Sequence, residues 1–268
     1  STTTCSGYGS QLHTPVNLFG QLGDGSTTQR NTPVPIVGSG VAEVAAGFLH
    51  SLYLKTDGSL WAMGFNGNGQ FGDGTTTDSP SPVMVLPGGV SAIAAGYFHS
   101  LFLKTDGSLW SMGRNFDGQL GDGSSSSSSD PVQILSGGVS AIAANGDQSR
   151  FIKADGSLWV MGRNDYGQLG NGATSSRSSP VQVLASGARF AACGADFSLF
   201  MGPEIPTVTV AATTAAAEPT SDGLFTLTRD SIALDQPLTV NLSTAGTAIP
   251  EQDFTSLPST VVFAANEA

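Results

Sequence analysis

Gly20-Gln-Leu-Gly-Asp-Gly25 returns intact as Gly118–Gly123. With one change each it also returns as Gly69–Gly74 (Phe71 for Leu) and Gly167–Gly172 (Asn171 for Asp). The step is 49 residues every time. Pro33, Pro82, Pro131 and Pro180 keep that step, as do Trp61, Trp110, Trp159 and Met63, Met112, Met161. A fixed period of this length marks an array of supersecondary units, either a propeller or a solenoid. Arrays of this kind bind more often than they catalyse, which makes the chain a recognition scaffold on first reading.

One repeat resolves into four strands. Val90–Ala95 alternates apolar and small or polar residues, and His99–Lys104 reads as a second strand after the short connection Gly96-Tyr-Phe98. Thr105-Asp-Gly107 reads as a tight hairpin turn, because Asp-Gly tolerates the positive φ such turns need. Ser108–Gly113 is the third strand, Asn115–Gly123 a glycine-rich loop, and Pro131–Leu135 the fourth strand, with proline at its permitted first position. Four strands in about 49 residues make one propeller blade. The glycines are expected to let neighbouring blades approach closely. The stretches Ser26–Thr32, Thr75–Ser81, Ser124–Asp130 and Ala173–Ser179 differ between repeats and read as solvated loops on one side of the ring. One residue type at one register implies one environment, so Trp61, Trp110 and Trp159 are expected in equivalent, largely buried positions.

Ten basic and 21 acidic residues give a net charge of −11. Nucleic-acid and anionic-lipid binding both need a basic footprint, and none exists here. No apolar run approaches the length of a membrane span, which argues against membrane insertion. Acidic balance, few lysines and abundant Ser/Thr lean towards an extracellular or cell-surface location. Of two cysteines, Cys193 takes the place of Ala46, Ala95 and Ala144 and reads as a small buried residue. A Cys5–Cys193 disulfide finds no support in the spacing.

Ala94-Ala-Gly-Tyr-Phe-His-Ser-Leu-Phe-Leu-Lys104, Asp106-Gly-Ser-Leu-Trp110 and Gly118-Gln-Leu-Gly121, with their equivalents 49 residues either side, resemble the repeats of the RCC1-like family (regulator of chromosome condensation). The form Asp-Gly-Ser-Leu-Trp-x-Met-Gly is similar to the bacterial branch. The resemblance covers residues 19–202 and implies part of a seven-bladed propeller. Residues 1–18 are a degenerate start and 203–206 a linker. Fewer than four blades are expected in an open arc, with Leu199, Phe200 and Met201 poorly covered and open blade edges prone to self-association.

After Pro203-Glu-Ile-Pro206 the composition shifts, and Thr207–Val210, Phe225–Arg229, Leu238–Leu242 and Val261–Phe263 alternate like sandwich strands. Residues 207–268 resemble a partial Calx-beta domain, a calcium-binding Ig-like sandwich. Glu218 and Asp253 match two of that family's acidic positions; its later acidic cluster is not in the sequence. Calcium takes six to eight oxygens, so no cofactor is expected unless the calcium site is completed. The fold class is therefore all-β, an incomplete RCC1-like propeller followed by a truncated sandwich.

His50 and His99 open the same strand one repeat apart, where later repeats place Gln148 and Phe197. That interchange indicates hydrogen-bonded structural residues. Asp24, Asp73 and Asp122 fail the EF-hand spacing and are expected to brace the glycine-rich turns. No nucleophile elbow, Walker loop or zinc-protease motif occurs, and no enzymatic activity is expected. Among known functions, the chromatin-bound exchange factor reaches nucleosomes through basic regions, which residues 1–18 lack. The plant ultraviolet receptor carries Gly-Trp-Arg-His-Thr where this chain reads Gly96-Tyr-Phe-His-Ser100. Phe48, Tyr97 and Phe98 lie on the connections that a β-lactamase-inhibiting propeller of the superfamily uses for binding, and aromatics make good interface anchors. The leading expectation is a protein-binding scaffold from a secreted or surface protein, its partner unnamed. The alternatives are a guanine nucleotide exchange factor and a calcium-dependent adhesion module.

Overall fold

Alternating apolar residues, broken at regular intervals by Asp-Gly and glycine-rich turns, fold each repeat into a four-stranded antiparallel meander. The computed structural model describes the backbone of residues 3–5, 17–193, 198–201, 208–214, 224–229, 238–241 and 260–263, and side-chain surroundings for 17–189, Ala191 and Val262. The chain divides into two units, Ser1–Gly202 and Pro203–Ala268.

Among the described residues the first unit contains three complete blades. The first comprises Val41–Ala46, His50–Lys55, Leu60–Gly64 and Ser79–Leu86. The second comprises Val90–Ala95, His99–Lys104, Leu109–Gly113 and Ser128–Leu135. The third comprises Val139–Asn145, Gln148–Lys153, Leu158–Gly162 and Arg177–Leu184. Two-stranded sheets flank them, Thr3–Cys5 with Val34–Val37 and Phe190–Cys193 with Ser198–Met201. The fourth strand starts three residues before the expected Pro131, because Ser128 already pairs with Gly113 ahead of a register shift. In the second hairpin Gly107 has φ +77°, and its N–H closes the turn on Lys104 O at 2.9 Å.

The hydrophobic core lies between blades. Leu52, Leu54, Leu60 and Phe71 of the first repeat cluster with Val90, Ile93, Phe102 and Met112 of the second. On the other side of that same blade, Leu101, Leu103 and Leu109 cluster with Val139, Phe151 and Met161 of the third. Neighbouring side chains of one strand thus serve opposite seams, which is why His99–Lys104 is apolar on both faces.

The glycine-rich loop of each repeat is part of the same seam. A Cβ on Gly118 would collide with Ser178 Cα, at the fourth strand of the following blade, and one on Gly72 would stand 2.9 Å from Met112 Cγ. Backbone bonds join the same surfaces: Gly74 N–H donates to Ser129 O at 3.0 Å and Gly123 N–H to Ser178 O at 2.8 Å. Inside the loop a buried asparagine ties the chain together. Asn115 Oδ1 accepts from Leu120 N–H at 2.9 Å, while its Nδ2 donates to Ser124 O and Ser126 O at 3.2 and 3.1 Å. Asn66 and Asn164 repeat this knot. Asp73 and Asp122 accept the N–H of Thr75 and Ser124, the bracing role their spacing implied.

The three tryptophans do share one environment, but they are half-buried. Each stacks on an aromatic of the second strand: Trp61 on Tyr53, Trp110 on Phe102, Trp159 on Phe151, with interplanar angles of 4°, 2° and 2°. A lysine ammonium lies 4.2–4.8 Å from each ring centroid. Each indole N–H reaches the hydroxyl of Ser59, Ser108 or Ser157, beside the hairpin. At the hairpin end of the strand each ring stays partly open to water.

In the second unit Val208–Thr214 pairs with Leu224–Arg229 and Leu238–Asn241 with Thr260–Phe263, both antiparallel. These ladders overlap the four strands expected there. Glu218, Asp253, the Cys5 and Cys193 thiols and the side chains of Leu199, Phe200 and Met201 lie outside the described residues.

Two substitutions separate backbone strain from seam packing. Gly118→Ala and Gly138→Ala both force alanine to φ near +80°, but only Gly118 faces a neighbour. Gly138→Ala should cost about 1–2 kcal/mol, and Gly118→Ala about 1–3 kcal/mol more from overpacking, read from urea unfolding midpoints. Asn115→Ala should cost about 3 kcal/mol, since it strands several buried loop groups.

Candidate functional site

In each blade the connection between strands one and two lies beside the segment that leaves strand three. Phe65 N–H donates to Leu49 O, Arg114 N–H to Phe98 O and Arg163 N–H to Asp147 O, all at 2.8 Å. Successive connections also join across the seams, Phe48 N–H to Tyr97 O at 3.2 Å and Tyr97 N–H to Gly146 O at 2.7 Å. These bonds make one continuous loop face across three blades.

Phe48, Tyr97 and Phe98 come together on that face. The Phe48 ring lies 5.4 Å from Tyr97 and 5.8 Å from Phe98, across the seam between the first two blades. Phe98 in turn meets Phe65 edge-on at 5.9 Å, and Phe65 meets Phe19 at 5.0 Å. The result is a run of five aromatics crossing two seams. Phe48 is 57% exposed, while the other four are half-buried and fix its position. Edge-to-face contacts at these separations favour one arrangement of the rings.

Beyond Tyr97 the face turns polar. The registers of Tyr97, Phe98 and Phe65 are taken in the next repeat by Gly146, Asp147 and Arg114. Asp147 Oδ1 accepts from Gln119 Nε2 at 2.9 Å and meets Arg114 Nη1 at 3.4 Å. Burial holds the Asp147 carboxyl above the usual carboxylate range, and the nearby Arg114 charge opposes that shift. Arg114 also lies 3.5 Å from Asp117 and over the ring of Phe116, and Arg163 pairs with Asp165 and lies over Tyr166. Phe116 and Tyr166 are 67% and 70% exposed. The face can therefore offer large, positioned aromatics at one end and fixed charges at the other.

The histidines sit beneath this face. His50 Nε2 is 2.9 Å from Ser100 Oγ, and His99 Nε2 is 2.8 Å from Ser149 Oγ, each in the following blade. Ser100 and Ser149 already donate their only proton, to Gln70 O and Gln119 O at 2.7 Å. Each histidine must therefore donate from Nε2 and carry its lone pair on Nδ1. Burial lowers their pKa values to about 4 and about 3; for His99 the charges of His50 and Arg114 add to the effect and the Gln148 backbone opposes it. At the opposite end of the blades, Asp57, Asp106 and Asp155 cap their hairpins. The hydroxyl and N–H of Ser59, Ser108 and Ser157 hold these carboxyls below their usual range. Among the described residues no three His, Cys, Asp or Glu side chains converge as metal ligands.

Phe19 and Phe65 were not singled out from the sequence. The signal for Phe65 was available: it replaces the arginine found at its register in the next two repeats, and such a departure marks a residue the repeat itself does not require.

The model of the regulator of chromosome condensation (RCC1) repeat matches residues 57–103, 106–149 and 155–201, and a second model of that repeat matches 41–70 and 90–119. Among solved structures, human WBSCR16 is 29% identical with a TM-score of 0.62, covering 70% of this chain and 52% of its own. Yeast Prp20p is 23% identical with a TM-score of 0.59, covering 69% and 49%. The same yeast protein in complex with Kap60 gives 23% and 0.60, covering 69% and 48%. The chain thus spans about half the length of these structures. No curated protein matches it. With just over half of its 268 residues matched by the repeat model and three complete blades of the corresponding fold, the chain belongs to the RCC1 repeat family.

Proposed function

We propose that the chain is a non-enzymatic protein-binding scaffold whose loop face, centred on Phe48, Tyr97 and Phe98, is the contact surface. The observation that carries this reading is the exposure of Phe48 on a run of rings that holds it in place. An aromatic fixed before binding loses little conformational entropy on contact and exposes a large apolar area, as interface anchors do. The yeast protein that shares this fold was solved bound to Kap60 and characterised for its binding to Gsp1p and histones. The second unit would act as a Calx-beta-like spacer. Acidic composition and abundant Ser/Thr favour a secreted or surface-exposed parent protein, and the Asp-Gly-Ser-Leu-Trp-x-Met-Gly form resembles a bacterial one. Calcium-dependent adhesion would draw on Glu218 and Asp253 together with further carboxylates, and nucleotide exchange would draw on a GTPase-binding face; no observation of this chain favours either over the scaffold.

A photocrosslinking phenylalanine at Phe48 should capture a protein partner, while the same residue at Asp106, on the hairpin end, should not. Phe48→Ala should lower recovery of that partner at least about tenfold, because hot-spot truncation costs about 2 kcal/mol or more, yet cost stability only about 1 kcal/mol from the lost ring contacts. Capture at Asp106 alone would place binding on the opposite face. Accelerated nucleotide release from a small GTPase would replace the scaffold reading with the exchange-factor one.

A further inference from the structure

Each seam between complete blades is closed by the same three-part latch. In the first, His50 donates to Ser100 Oγ, and Ser100 donates to the Gln70 carbonyl. In the second, His99, Ser149 and the Gln119 carbonyl repeat the arrangement. The histidine comes from one blade, the serine from the next, and the carbonyl from the glycine-rich loop that packs between them. All four side chains are completely buried. His50 and His99 are pressed against Gly47 and Gly96, where an added Cβ would collide with the imidazole.

We propose that these latches make the seams acid-operated: neutral imidazoles hold adjacent blades together, and protonation of the imidazoles opens them. The chemistry of the latch requires this direction. A neutral Nε2–H tautomer satisfies the serine, which in turn satisfies the carbonyl. A second proton must enter at Nδ1, which in His50 is buried with no hydrogen-bond partner. It would create a cation in a site with no counter-ion. Around His99 a charge on His50 or Arg114 disfavours a second cation, and only the Gln148 backbone works the other way, an influence that burial outweighs. Arg114 is itself engaged by Asp147 and Asp117, and no carboxylate is hydrogen-bonded to either imidazole among the described residues. An unpaired buried charge costs several kcal/mol, so the cationic ring is far better placed in an opened, hydrated seam.

The linkage follows from the direction of the shift. The closed-state pKa of His50 lies near 4 and its solvated value near 6.5. The latch is therefore at full strength above the solvated value and weakens as pH falls from there towards the closed-state value. At about pH 5 the opening equilibrium of the His50 seam should rise about thirtyfold from this group alone. The protein contains its own comparison. At the same register the third blade carries Gln148, which offers an amide donor and cannot titrate. Two carboxyls near the seams also respond to acid and must be told apart from the latches. Glu43 accepts the Ile93 N–H across the first seam at 3.1 Å, and burial raises its pKa. Asp147 is raised in the same way.

The test is hydrogen exchange on the full chain, corrected for intrinsic rate, compared between about pH 7 and about pH 5. The amides of Phe48, Tyr97, Gly74 and Gly123 report the seams, because each donates across one. The ladder amides of Phe102 and Phe151 report the blades. Wild type should lose at least about tenfold protection at the seam amides and little in the ladders. His50→Gln with His99→Gln should retain protection and lose the pH response, while Glu43→Gln should keep the response. Equal loss in wild type and in the double glutamine variant would overturn the proposal and assign acid sensitivity to the carboxyls. If the double variant does not fold, proton NMR of the wild-type imidazoles decides. Titration of His50 and His99 near 6.5 in the native spectrum, with no opening, overturns the latch, and absence of native-state titration down to about pH 5 supports it.

Discussion

The apolar surface of each blade can be buried only against another blade, and most features of the repeat answer to that constraint. A four-stranded sheet of this size has no interior of its own. Its second strand offers Phe102 to one neighbour and Leu101 and Leu103 to the other. The glycine-rich loop must then pass between sheets, where a side chain on Gly118 would strike the next fourth strand. Polar groups drawn into the seam need partners there, and the His–Ser–carbonyl latch and the asparagine knot supply them. The sequence signature of this chain, glycine-rich and spaced by 49, is largely a description of how seams are closed.

The same constraint sets the loop face. Strands one and two meet at connections that emerge from the seam, so side chains there are held from below and free above. Phe48 and Tyr97 gain position from cross-seam backbone bonds and need no contribution from the core. Replacing Tyr97 and Phe98 by Gly146 and Asp147 one blade later leaves the fold intact and changes the face from apolar to charged. The chemistry of the face can thus vary from repeat to repeat while the blade fold is kept.

Strand positions were legible because two-residue alternation and Asp-Gly turns are local signals. Val90–Ala95 occurs where its alternation places it, and His99–Lys104 occurs between the short connection and the Asp-Gly turn that bound it. The early start of the fourth strand was not legible: Ser128 joins through a register shift, set by the partner strand and invisible in its own residues. The half-burial of Trp110 also escaped, since register shows that environments are equal without showing how exposed they are. The aromatic run was visible only in part. Phe48, Tyr97 and Phe98 stood out by position, whereas Phe19 and Phe65 join them through contacts between repeats that a period cannot reveal. The roles of Asp73, Asp122 and the histidines could be anticipated because recurrence at one register argues for structure over chemistry.

The central claim is that bonding between blades, more than bonding within them, holds the array. A double-mutant cycle on His50 and Ser100, whose side chains meet only across a seam, measures that bonding directly. Unfolding free energies of His50→Ala, Ser100→Ala and the pair, at a pH where the imidazole is neutral, should give a coupling of about 1–3 kcal/mol. Additivity within about 0.3 kcal/mol would contradict the account, because it would mean that the buried His–Ser pair adds no coupling between adjacent blades.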